Sequence, residues 1–187
     1  MLEIRALGLD GVLEIVPRKF SDERGFFSET YNAETLLAHG IALTFVQDNH
    51  SYSAMAGTVR GLHYQLPPRA QAKLVRVVRG RAFDVVVDIR RGSSTFAQWV
   101  GVELSAEKWN QILVPVGFAH GLVTLEPETE VLYKVSEHYS AEHDRAIRFD
   151  DPQIGIRWPV APDRLCLSAK DRDAPLLANA SLSDFDR

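Results

Sequence analysis

Short runs in which apolar and polar residues alternate recur along most of the chain. In 82–90, Phe83, Val85, Val87 and Ile89 fall on one side while Asp84, Asp88 and Arg90 fall on the other, the period of a strand with one face in a core. Segments 98–104, 110–116 and 130–137 read the same way, and Gly80, Gly92 and Gly117 stand at the turns between or beside them. Segment 45–51 alternates Gln47 and Asn49 on one face. Only two stretches have helical character. Asn32 through His39, ended by Gly40, predicts a short helix capped at both ends. In the tail, from Asp171 to Asp186, Leu176, Leu177, Ala180 and Leu182 recur at loosely helical spacing. Many short strands without a βαβ rhythm predict a sandwich or jelly roll rather than a doubly wound sheet. No repeat or low-complexity linker divides the chain.

The alternation is interrupted by polar side chains where strand interiors are expected. The stretch Val59-Arg60-Gly61-Leu62-His63-Tyr64-Gln65 puts an arginine, a histidine and a glutamine in an apolar run, and Lys73 shares its strand face with Val75 and Val77. Lysine is rarely buried without a partner, so Lys73 either snorkels at a mouth or faces a polar pocket. Tyr133 shares a face with Val131 and Val135, as a proton donor or as a hydrogen-bonded core aromatic, while Lys134 points the opposite way. His120 follows the turn-like Pro115-Val116-Gly117-Phe118-Ala119. Arg24 and Arg60 are candidate anion forks or plain structural arginines.

Composition narrows the chemistry. With 187 residues the chain can bury one good core without a metal or disulfide staple. Its one cysteine, Cys166, excludes a disulfide within the chain, suits a reducing compartment, and is expected to pack as a small hydrophobe. A net charge of −4 argues against non-specific nucleic-acid binding. Met1-Leu2-Glu3-Ile4-Arg5 lacks the apolar core of a signal peptide, and no run approaches membrane-spanning length, so a cytoplasmic protein without membrane contact is expected. The run His63-Tyr64-Gln65 offers one imidazole where a metal-binding strand would offer two, so no metal is expected. There is no glycine-rich phosphate loop, dinucleotide fingerprint or nucleophile elbow. A bound nucleotide would be held by side chains and stacking.

At these residues the chain resembles the dTDP-4-dehydrorhamnose 3,5-epimerase family, from about Gly11 to Pro175. The resemblance is carried by Phe20-Ser21-Asp22-Glu23-Arg24-Gly25-Phe26, Gln47-Asp48-Asn49-His50-Ser51, Arg60-Gly61-Leu62-His63-Tyr64-Gln65 and Gln71-Ala72-Lys73-Leu74-Val75. It continues through Asp84-Val85-Val86-Val87-Asp88-Ile89-Arg90, Pro115-Val116-Gly117-Phe118-Ala119-His120-Gly121, Tyr133-Lys134, Asp151-Pro152, Trp158-Pro159 and Leu167-Ser168-Ala169-Lys170-Asp171. It implies an all-β, cupin-type jelly roll over 1–187, with a C-terminal extension from about residue 160 packing against the barrel. It also implies a homodimer, a dTDP-linked 4-keto-6-deoxy sugar as substrate, and epimerisation without cofactor. By this resemblance His63 is the general base, Asp171 its carboxylate partner, Tyr133 the acid on the other face of the sugar and Lys73 the group beside the C4 oxygen. Arg24 and Arg60 would hold the diphosphate and nucleotide end; Phe20, Glu29, Gln47, Asn49, His120, Tyr139, Asp144 and Lys170 complete the substrate-binding set.

The chemistry suits these residue types. A C4 ketone acidifies the hydrogens on C3 and C5, and an imidazole of ordinary pKa about 6.5 is matched to removing them near neutrality. An ammonium beside the oxygen stabilises enolate charge as it forms. Alternatives are a C3-only epimerase or ketoisomerase on a related sugar, a sugar-nucleotide binding module, and a metal-dependent cupin dioxygenase. Departures from the family pattern fall at Ala72, Ala97, Leu122, Asp144 and Phe149 and leave His63, Lys73, Tyr133 and Asp171 intact.

Overall fold

The structure is a computed structural model, and it describes residues 2–183 and 185. In chain order the strands are β1 (Glu3–Ala6), β2 (Leu13–Val16), β3 (Phe20–Asp22), β4 (Gly25–Phe27), β5 (Gln47–Ser53), β6 (Val59–Gln65) and β7 (Lys73–Arg79). They continue as β8 (Arg81–Asp88), β9 (Trp99–Ser105), β10 (Gln111–Val114), β11 (Phe118–Thr124), β12 (Thr129–Val135) and β13 (Asp144–Ala146). Two short helices, α1 (Ala33–Ala38) and α2 (Ala169–Arg172), lie outside the sheets. A six-stranded sheet, β1-β2-β10-β7-β12-β5, faces a five-stranded sheet, β13-β6-β11-β8-β9, and β3 and β4 form a separate hairpin. The pairs within the sheets are antiparallel, and the result is the cupin-type jelly roll anticipated above. Among the described residues no helix is long and apolar enough to cross a membrane.

Three apolar layers hold the sheets. Between them lie Val75, Val77, Ala82, Val86, Ile112, Phe118, Leu122 and Val131. The outer face of the six-stranded sheet is covered by α1, whose Leu36 packs with Ile41 on Ile15, Leu74 and Leu113. The outer face of the five-stranded sheet is covered by the later part of the chain, with Ile147, Ile154, Leu177 and Ala180 on Leu62, Tyr64, Val85 and Val87. The expectation for β8 needs correction, because this layer covers its Val85 and Val87 side while the side of Ala82 and Val86 looks into the space between the sheets. Its polar face is not solvated: Asp84 and Asp88 are both fully buried, so the strand is enclosed on both sides. Asp88 is satisfied by Arg90, Ser93 and Thr95, which donate to it at 2.6–3.0 Å. Ile89 falls just past the end of the strand.

The helix expected over Asn32–His39 forms over Ala33–Ala38, with the two outer residues as its caps. The Asn32 side chain accepts from the Thr35 backbone N–H at 3.1 Å, and Gly40 takes the left-handed conformation at φ +81° that ends the helix. The tail does not form the helix its spacing suggests. α2 stops at Arg172, a 3₁₀ turn covers Leu177–Asn179, and Asp184 and Asp186 lie outside the described residues. Pro175 explains the break, since it disfavours helix in the residue before it and supplies no N–H. Leu177, 2% exposed, anchors the segment instead; burial of such a side chain stabilises by about 1.5–3 kcal/mol.

Ala97, where the family pattern has glycine, is held at φ +63° in the turn before β9, with its N–H bonded to the Asp88 carbonyl at 2.9 Å. Left-handed backbone penalises a residue carrying Cβ by about 1–2 kcal/mol, partly offset by the unfolded-state entropy of glycine. Ala97→Gly is therefore expected to stabilise the protein by roughly 0.5–1 kcal/mol in urea unfolding. A neutral or destabilising result contradicts the assignment of strain to this turn.

Candidate active site

The sheets part at one end of the barrel to leave a cavity of about 610 Å³. Strand alternation supplies most of its lining. From the six-stranded sheet come Gln47, Asn49 and Ser51 of β5, Lys73 and Val75 of β7, and Val131 and Tyr133 of β12. The register sets Tyr133 directly between Asn49 and Val75, with Lys73 and Gln47 in the next row. From the opposite sheet come Arg60, His63, His120 and Leu122. Tyr133 and His63 are thus carried by different sheets and look into the same space from two sides.

A bulge in β6 makes this possible. Between β11 and β6 the register steps from His120 opposite His63 to Leu122 opposite Arg60, so three positions on β6 match two on β11. Plain alternation would turn Arg60 and His63 to opposite faces, whereas the bulge brings both to the cavity. Gly61 occupies it at φ +120°, and a Cβ there would lie 2.5 Å from the Gly121 Cα and 2.7 Å from the His120 carbonyl oxygen. Gly61→Ala is expected to push β6 off β11, lowering turnover at least about 100-fold and stability by about 2–4 kcal/mol. Turnover within threefold of wild type would contradict a positioning role for the bulge.

His63 is oriented by a carboxylate. Its Nε2 lies 2.6 Å from Asp171 Oδ1, and Asp171 is held in turn by Ser168, whose hydroxyl donates to Oδ2 at 2.7 Å and accepts from the Asp171 N–H at 3.1 Å. Ser168 is the N-cap of α2, so the helix start and the site share one hydroxyl. Burial works to raise the Asp171 pKa, but the bonds from His63 and Ser168 outweigh it and keep the carboxyl below its ordinary value. The side chain therefore stays anionic beside the imidazole.

Lys73 comes from the other sheet, and its Nζ donates to the His63 carbonyl at 3.2 Å. Burial pushes its pKa down to about 8, against the upward pull of Asp84 and Asp144. Tyr133 moves the other way: burial raises its pKa, Asp144 adds to this and Arg60 opposes it, so its phenol keeps its proton. His120 Nε2 lies 2.9 Å from both oxygens of Asp84. Among the described residues no three His, Cys, Asp or Glu side chains are grouped as metal ligands.

At the rim, Tyr139 donates to Asp144 at 3.3 Å and Lys170 forms an ion pair with the same carboxylate. Gln47 donates to Asn49 at 2.8 Å and accepts from the Tyr139 N–H at 3.1 Å. Arg60 rests on Ser53 and the Tyr52 carbonyl at 3.2 and 2.9 Å. Gln65 accepts from the Ser140 N–H at 2.8 Å and so fixes the rim loop.

Three expected site residues are not brought to the cavity by this chain. Phe20 and Arg24 lie on the β3–β4 hairpin, where Phe20 is 48% exposed and Arg24 pairs with Asp22 at 2.6 Å. Glu29 lines a small recess beside α1. Cys166 also departs from expectation: it is exposed and lines the cavity, because its backbone bridges Thr58 at the mouth rather than entering a core. Two contributors were not singled out from sequence. Ser168 carried a usable signal, a serine three residues before Asp171 as in a helix cap. Asp84 opens a run that carries the family resemblance, but alternation put it on the face away from the apolar one and gave it no role.

Known proteins resemble the chain along nearly its whole length. Residues 6–179 match the family described as dTDP-4-dehydrorhamnose 3,5-epimerase. A protein of that name from Pseudomonas aeruginosa is 50% identical over 175 residues, covering 93% of this chain and 95% of its own. The crystal structure of dTDP-4-dehydrorhamnose 3,5-epimerase from Bacillus anthracis, with TDP and PPi bound, superposes with a TM-score of 0.90 at 49% identity, covering 94% of this chain and 99% of that one. The dTDP-6-deoxy-D-glucose-3,5-epimerase of Legionella pneumophila, in complex with dTDP-4-keto-L-rhamnose, has a TM-score of 0.91 at 44% identity, covering 96% and 94%. The chain belongs to the dTDP-4-dehydrorhamnose 3,5-epimerase family.

Proposed function

We propose that this chain epimerises dTDP-4-dehydro-6-deoxy-D-glucose at C3 and C5, giving dTDP-4-dehydro-L-rhamnose. The observation that supports this most is the pairing across one cavity of an imidazole backed by a carboxylate with a protonated phenol on the facing sheet. His63, with Nε2 committed to Asp171, removes the proton next to the ketone through Nδ1, and the carboxylate steadies the imidazolium that results. The charge that moves onto the C4 oxygen meets the Lys73 ammonium, which stabilises it more as it develops than in the ground state. Tyr133 then delivers a proton to the opposite face, and that difference of face inverts the centre.

Arg60, Gln47, Asn49, His120, Tyr139, Asp144 and Lys170, all on the cavity wall, are assigned to holding the sugar nucleotide. Phe20, Arg24 and Glu29 can join them only from a second copy, and this reading favours a homodimer. The hairpin is shaped for such a contact, with Phe20, Phe26 and Phe27 48%, 50% and 66% exposed. Sedimentation at micromolar concentration should give a dimer, and a monomer with full activity contradicts this part. One unpaired cysteine, without a disulfide, suits a cytoplasmic enzyme.

Tyr133→Phe separates the two halves of the mechanism. Proton removal by His63 should persist, so C5 deuterium uptake from D2O should stay within about tenfold of wild type, while formation of the inverted product falls at least about 100-fold. Product NMR reads both. Undiminished formation of the L-configured sugar by this variant contradicts the role of Tyr133.

A further inference from the structure

The barrel interior holds a carboxylate that the reaction above leaves unused. Asp84 on β8 is fully buried, and its two oxygens are equidistant from His120 Nε2 at 2.9 Å. The pair lies diagonally on neighbouring strands, since the β11–β8 register sets His120 opposite Val86 and Leu122 opposite Asp84. One N–H shared evenly between two oxygens is the geometry of an ionised carboxylate, which offers only lone pairs. A protonated carboxyl would instead donate from one oxygen. The N–H that faces Asp84 is therefore on Nε2, and a neutral ring in that tautomer carries its lone pair on Nδ1.

His120 lines the cavity beside His63, its register partner, and Lys73 Nζ rests on the His63 carbonyl at 3.2 Å. An ammonium offers only donors. This corner thus sets a donor next to an acceptor, and an α-hydroxy ketone completes that pattern: the ketone oxygen accepts from Lys73 while the neighbouring hydroxyl donates to His120.

We propose that Asp84 is a positioning residue that locks His120 in the Nε2–H tautomer, so that His120 Nδ1 accepts from the C3 hydroxyl and makes the site select sugars hydroxylated next to the ketone. The inference rests on the epimerase reading of the cavity. Its consequence is a sharp preference, because a site built to bond a hydroxyl leaves its own polar group unpaired when the hydroxyl is missing.

The test measures C5 deuterium uptake from D2O for the dTDP-linked 4-keto-6-deoxy sugar and for its 3-deoxy analogue. Wild type should prefer the hydroxylated substrate by about 30- to 100-fold in kcat/KM. Asp84→Asn keeps the volume, but its amide donates to Nε2 and drives the ring proton to Nδ1, turning the acceptor into a donor. The preference should then fall below about threefold. Any loss felt through Lys73 affects both substrates and cancels in the ratio. An unchanged ratio in Asp84→Asn, or a wild type that exchanges both substrates equally, overturns the inference and leaves the epimerase reading standing. A wild type that exchanges neither overturns both. Nitrogen-15 NMR of histidine-labelled wild type reads the tautomer without needing the Asp84 variant, the His120 signal being assigned by its loss in His120→Gln. A proton on Nε2 alone supports the proposal, and one on Nδ1, alone or together with Nε2, overturns it.

Discussion

His63→Ala is expected to abolish turnover and solvent deuterium uptake at both C3 and C5, by about 10³–10⁴-fold, while the protein remains folded. Both positions should be lost together because the cavity offers one imidazole backed by Asp171, and the other imidazole, His120, is committed to Asp84. His63 is about one third exposed at its side chain, so its removal leaves no sealed void and the effect should be on rate rather than stability. Asp171 then loses one of the donors that keep its pKa low, but Ser168 still bonds it. Retained exchange at C5 with loss at C3 would mean that a second base serves the other carbon.

Lys73→Met is expected to separate stability from activity. Turnover should fall by about 10²–10³-fold, since the enolate oxygen loses the ammonium that meets its charge. Stability should rise, because the fold holds this lysine 8% exposed and pushes its pKa from 10.5 down to about 8. The sign follows from proton binding. Between about pH 8 and 10.5 the unfolded chain holds a proton that the folded one releases, so this group makes stability increase with pH across that window. Below pH 8 both states are protonated and the folded state carries the full penalty of the buried charge. Lys73→Met should therefore stabilise by about 2 kcal/mol at pH 7, with the gain fading as pH rises toward 10.5. Wild-type activity should correspondingly decline as pH rises through about 8, where the ammonium is lost. Urea unfolding at pH 7 and pH 10 checks the first, and a pH–rate profile the second. Destabilisation at both pH values would contradict the account of Lys73 as a group kept for function.

Alternation made the strands legible, because β9 sends Val100, Val102 and Leu104 and β12 sends Val131 and Tyr133 to the core between the sheets, although β10 is buried at all four positions. It also put Lys73 and Tyr133 on cavity-facing sides, since each strand there is regular where they occur. It misread β8, because period two says which residues share a face and not what covers it. Asp84 and Asp88 point the same way as Ala82 and Val86, into the space closed by the facing sheet, while Leu177 and Ala180 cover the opposite, Val85 and Val87 side. It could not relate Arg60 to His63 either, because the bulge at Gly61 shifts the phase by one residue. The family resemblance supplied Arg60, Phe20, Arg24 and Glu29 as a set without saying which could meet within one chain. Arg60 reaches the cavity by way of the bulge, and the others lie on the hairpin and beside α1. Cys166 was assigned a packed role from its residue type, but the bridge to Thr58 holds it at the mouth.

The most direct test of base and acid acting from opposite sides of one 4-keto sugar ring is proton NMR of the wild-type reaction with dTDP-4-dehydro-6-deoxy-D-glucose in D2O. The account predicts an L-configured 4-keto product carrying deuterium at both C3 and C5. An L-configured product that retains its original hydrogen at either carbon, or binding of the sugar nucleotide without exchange, would contradict it.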